Sequence, residues 1–139
     1  VERRASISRS CRTVAGVSPE TEKALSDGRA RFNAGQFFEA HETWETAWRR
    51  DGGPDRLLLQ ALIMVAAACV KATRGEPRGT VKLLTSALEL VHSGHDEAGL
   101  ALDEFRVKVE AALGEAQRWQ EGGAPLVPVF TLDEAEREQ

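Results

Sequence analysis

The sequence predicts an all-α fold, a compact bundle of about five helices joined as helical hairpins and followed by an extended C-terminal strap. Three observations carry this: apolar residues recur at helical spacing in five separate stretches, Gly- and Pro-containing breakers separate the stretches, and no stretch alternates apolar and polar residues as a half-buried strand would. At 139 residues the chain has room for one ordinary domain with a real core. Residues 1–17 read as a flexible basic leader, 18–121 as the helical domain, and 122–139 as strap and solvated tail.

Ser18-Pro19-Glu20 supplies an N-cap residue, a proline suited to the first helical position and an early acidic group, and Gly35 is placed to end the helix, which spans about Pro19 to Asn33. Large residues repeat at helical spacing from Gln36 to Arg49, before the breakers Asp51-Gly52-Gly53-Pro54. Pro54 can open a third helix reaching Arg74, and the nearly continuous apolar run Leu57 to Val70 gives it neighbours on several sides, so it is the expected central helix. Gly75-Glu76-Pro77 punctuates next. Val81, Leu84, Ala87, Leu88 and Val91 then mark a fourth helix ending near Ser93-Gly94 and pairing with the third as an antiparallel hairpin. Leu102, Phe105, Val109, Ala112, Leu113 and Ala116 mark a fifth, between about Gly99 and Glu121. The prolines of Pro125-Leu-Val-Pro-Val-Phe130 exclude a continuous helix, which leaves the strap. No repeat long enough for a solenoid is evident, although the helix pairs loosely resemble one.

Eighteen basic against twenty-two acidic side chains give a net charge of −4, which argues against nucleic acid as a partner. The run Leu57 to Val70 is shorter than the roughly 20 apolar residues of a membrane span and carries Gln60, so no membrane span is expected. Two cysteines make no disulfide framework, and the Arg/Ser-rich leader lacks the apolar centre of a secretory signal; together these point to a cytoplasmic protein. A homo-oligomer or a protein partner is compatible with the composition.

The densest chemistry lies in FFEAHETWETAW, Phe37 to Trp48. At 100° per residue, Phe37, Phe38, Trp44, Glu45 and Trp48 fall within about 60° of His41, and Glu42 lies about 100° round at the edge of that face. His41, Glu42 and Glu45 are therefore candidate ligands for a small molecule or a divalent metal (zinc, manganese or iron), because imidazole and carboxylate suit such ions and an i, i+4 pair can hold one from a single helix. Two ligands do not complete a site, and HETWE lacks the second histidine of a zincin. A buried pair is the plain alternative, with Glu45 accepting from His41 and from an indole of Trp44 or Trp48. A third reading has Glu45 setting the tautomer of His41 as a general base, which also needs a substrate cavity.

These residues carry a resemblance. GQFFEAHETWETAWR, followed by LLLQALI and RGEPRGTVKLL, resembles the uncharacterised bacterial and archaeal family called domain of unknown function 309, whose signature of His, three residues, Glu, two residues, then Trp or Tyr falls on His41, Glu45 and Trp48. The resemblance covers about Thr21 to Leu113 and implies a compact all-α fold with a suggested metal-binding role. Relatives often have Gln and His where this chain has Met64 and Val70-Lys71, which weakens a multi-ligand site reaching into the third helix. Gln60 remains, and it either supports His41 or Glu45, alongside Trp44 and Trp48, or lies on the rim of its helix. If the site is catalytic, metal-assisted hydrolysis is the expected class, with His41 and Glu45 as ligands and Glu42 as ligand or base. The competing class is a non-catalytic interaction or self-association module in which His41 and Glu45 only set packing. His92 and His95-Asp96 suit a helix C-terminal dipole without metal, and Arg74, Arg78 and Lys82 suit a solvated turn.

Overall fold

The computed structural model describes residues 19–50, 56–93 and 102–126. The expected leader, His95, Asp96 and most of the strap lie outside the described residues. Five helices follow in order: α1 Pro19–Asn33, α2 Phe37–Arg50, α3 Arg56–Thr73, α4 Pro77–Ser93 and α5 Leu102–Gln120. Their ends agree with the sequence expectations to within about three residues, because the signals at the ends are chemical. Acidic Glu20 and Glu22 sit in the first turn of α1, and basic residues sit in the last turns of α1, α2, α3 and α5, where each complements the helix dipole.

Three helices end in one way. After α1 the N–H of Gly35 donates to Phe32 O at 2.9 Å and that of Gln36 to Arg31 O at 2.8 Å. Gly75 and Glu76 repeat the pair after α3, and Gly122 and Gly123 repeat it after α5. Each is a Schellman cap, whose first glycine must be left-handed; φ is 83° at Gly35, 76° at Gly75 and 102° at Gly122. The caps reverse the chain sharply, so α1–α2 and α3–α4 become helical hairpins.

Consecutive helices make the principal packing contacts, α1 on α2, α2 on α3, α3 on α4 and α4 on α5. The core is built from small and branched residues, with Ala40, Ala47, Ala61, Ala66, Ala87 and Ala116 fully buried among Leu59, Leu62, Val65, Leu84 and Val109. By length and composition α3 could cross a membrane, yet nine of its residues are buried within the fold, as befits the central helix. Leu126 is buried after the Gly122 turn, so the chain folds back onto the helices there.

The two hairpins are copies of one design at an offset of 40 residues, the separation of Gly35 and Gly75. Thr21, Leu25, Gly28 and Phe32 of α1 are buried, and so are Ala61, Val65, Ala68 and Ala72 of α3. Ala40, Trp44 and Ala47 of α2 correspond likewise to Thr80, Leu84 and Ala87 of α4. Even the bond from the Ala40 N–H to Gln36 O has its counterpart from Thr80 to Glu76 O. The loose likeness between the helix pairs noted in the sequence is thus one of geometry and burial, while the side chains do not repeat.

Candidate functional site

In α2 the buried residues Ala40, Trp44 and Ala47 anchor the helix, and His41, Glu45 and Trp48 sit beside them half-buried. Arg56, the first residue of α3, places its guanidinium 4.1 Å from the centroid of the Trp48 ring, so this row of α2 faces the α3 side. Only five residues separate α2 from α3, which makes the two helices antiparallel. From the Arg56–Trp48 contact, a rise of about 1.5 Å per residue brings Leu59, one residue before Gln60, level with Glu45 and Ile63 level with His41.

His41 and Glu45 are neither sealed nor hydrogen-bonded. His41 Nδ1 lies 3.9 Å from Glu45 Oε1, and their side chains retain 25% and 34% of their exposure. The other carboxylate oxygen of Glu45 accepts from Arg49 Nη2 at 3.1 Å. The Phe38 ring, 52% exposed, lies parallel to the imidazole at 9° with centroids 6.2 Å apart. His41 Nδ1, Trp44 Nε1 and Trp48 Nε1 are all buried without a hydrogen-bond partner among the described residues. The expected hydrogen-bonded pair, with an indole donating to Glu45, is thus not what the helix forms; Arg49 has taken the carboxylate.

Trp44 is inaccessible and belongs to the core. Its indole fills the space left by the missing side chain of Gly28, where an added Cβ would stand 2.2 Å from Nε1. Phe32 borders it with centroids 6.1 Å apart, and Phe37 meets Phe32 edge-on at 5.0 Å. Trp44 therefore looks toward α1, away from the Trp48 and Arg56 side.

The metal suggested by the resemblance finds no donor set. Among the described residues no three His, Cys, Asp or Glu side chains converge as a chelate. Glu42 is exposed, about 160° round the helix from Trp44. Glu45 is engaged by Arg49, and burial pushes the Cys69 thiol up to about 12, which keeps it protonated. His41 and Glu45 by themselves do not make a complete donor set, and no chemical step through a metal follows from them.

One feature escaped the sequence reading, an open cleft of about 370 Å³ between α1 and α2 lined by Lys23, Asp27, Thr43, Thr46 and Arg50. Its polar groups are largely satisfied within it: Lys23 pairs with Asp27 at 2.8 Å, and Thr43 and Thr46 donate to the Glu39 and Glu42 carbonyls. On α2 the buried nitrogens of His41, Trp44 and Trp48 stand without a partner among the described residues.

No curated protein matches the chain. Residues 25–83, from the middle of α1 to Leu83 in α4 and including all of α2, match the family model described as Domain of unknown function (DUF309), the family that the spacing of His41, Glu45 and Trp48 resembles.

Proposed function

We propose that the half-exposed row His41, Glu45 and Trp48, facing α3, is a small-molecule binding site and not a structural strut. The observation that carries this reading is internal to the fold. In the second hairpin the positions 40 residues on are Val81, Thr85 and Leu88, and Val81 and Leu88 pack against the core half-buried as Trp48 does. There α4 packs on α5 as α2 packs on α3. That seam closes with two ordinary aliphatic residues. The first hairpin instead places an imidazole and an indole there, each with a buried nitrogen that no group among the described residues satisfies. Burying such a group costs on the order of 1–3 kcal/mol, a cost without structural return.

The competing class, a protein-docking module, has less support. Among the described residues the large apolar side chains that stand exposed, Phe38, Leu57 and Val107, are spread one each over α2, α3 and α5.

The test transplants the second hairpin's solution. His41→Val is expected to fold with unchanged or slightly raised stability in urea unfolding, since it removes an unpaired nitrogen and keeps the packing volume aliphatic. A fragment library screened by NMR shift perturbation is expected to give hits that cluster on His41, Glu45 and Trp48 and vanish in His41→Val. A stability loss of about 2 kcal/mol or more in His41→Val, with no fragment contacting these residues in the wild type, would restore the strut.

A further inference from the structure

We propose that Arg56 and the indole N–H of Trp48 form an oxyanion subsite, for a carboxylate or phosphate, at the end of this face where α3 begins; the proposal rests on reading the His41 row as a ligand site.

Arg56 lies over the Trp48 ring at 4.1 Å. Stacking holds a guanidinium by its face and leaves the N–H edges available for a planar, two-pronged acceptor. Among the described residues no carboxylate pairs with Arg56, and Glu45, on the same face of α2 as Trp48, is engaged by Arg49 at 3.1 Å. Beneath the guanidinium the Trp48 Nε1–H is buried with no acceptor. An indole N–H can only donate, so the group that satisfies it must bring a lone pair. Two donor groups, one cationic and one buried, thus meet at a single ring with no acceptor for either among the described residues. A neutral carbonyl would use the N–H and waste the charge. A carboxylate or phosphate uses both.

Two further features agree. The first turn of α3 carries no acidic side chain, so the positive end of an 18-residue helix dipole adds to Arg56 at the same place. His41, with its own unsatisfied Nδ1, is seven residues back from Trp48, roughly 10 Å along the helix. The intervening face ends at the exposed Phe38 ring, which lies parallel to the His41 imidazole. An anionic head at Arg56 with an apolar body reaching His41 and Phe38 matches that sequence of surfaces.

The full chain labelled with 15N should give three indole N–H signals, from Trp44, Trp48 and Trp119, with Trp48→Phe identifying the relevant one. Sodium octanoate and inorganic phosphate are titrated separately, with sodium chloride at matched ionic strength as the control. The expected result is a saturable downfield shift of the Trp48 signal alone, with octanoate favoured if the apolar border contributes and phosphate if only the head is read. Arg56→Gln and Arg56→Lys, each checked for helical content, are expected to weaken the response by about tenfold or more, because neither keeps the fork. A Trp48 signal that stays fixed with both anions, an equal shift with chloride, or undiminished binding by Arg56→Gln overturns the subsite. Fragments that still contact His41 while Trp48 stays fixed would refute the subsite and leave the binding face standing. A Trp48 shift without any fragment contact at His41 would do the reverse.

Discussion

Gly28→Ala tests the packing that fixes α2, and its outcome can be worked from the structure. A Cβ at residue 28 would lie 2.2 Å from Trp44 Nε1, 2.4 Å from Cε2 and 2.6 Å from Cδ1, where ordinary contact begins at 3.4 Å. The indole would have to move by more than 1 Å, and it is fully buried with Phe32 on one side. Overpacking of this kind costs about 1–3 kcal/mol. Alanine returns about 0.5–1 kcal/mol through its better helix propensity. The net expectation is a loss of about 1–2 kcal/mol, or roughly 4 °C in Tm for each kcal/mol in a domain of this size. The corresponding positions of the second hairpin carry a less bulky combination, Ala68 and Leu84, both buried. Trp44→Leu alone should cost on the order of 2–3 kcal/mol through the cavity it leaves. In that background Gly28→Ala should cost nothing or stabilise, giving a coupling of at least about 1 kcal/mol in a double-mutant cycle read by urea denaturation. Gly28→Ala as stable as the wild type, or strictly additive with Trp44→Leu, would refute the interlock.

The remaining predictions are narrower. Gly75→Ala is expected to lose about 1 kcal/mol although nothing lies within 4 Å of the new methyl, because the cost is the left-handed backbone at φ +76°; Gly75→Asn should recover part of it, and equal stability of all three in thermal melts would remove the Schellman argument. Burial holds the Cys69 thiol protonated up to about 12, above its value in the unfolded chain, so its contribution is complete below about pH 9 and falls as the pH rises toward 12. The slope should approach 1.4 kcal/mol per pH unit for this group, and Cys69→Ala should flatten it; identical alkaline profiles of the two proteins would contradict the assignment. The same burial should leave Cys69 unreactive to iodoacetamide until the protein is unfolded in urea.

The sequence by itself determined the elements and their ends. Helical periodicity, proline at helix starts and glycine after helix ends are local chemistry, so Pro19, Gly35, Pro77 and Gly122 fixed boundaries without knowledge of any partner. It also determined that His41, Glu45 and Trp48 share one face of α2, because that follows from 100° per residue alone. Only the tertiary structure decided what each face meets. Gly28 looks in the sequence like a weak point in a helix, and the fold makes it the seat of Trp44. Glu45 is an equally good partner for His41 and Arg49 by spacing, and the structure gives it to Arg49. The hairpin repeat was hidden because Phe32 and Trp44 in one copy stand where Ala72 and Leu84 stand in the other. Periodicity records which side of a helix leaves water; the volume and chemistry that fill the opposite side come from residues distant in sequence, and different fillings can satisfy one backbone.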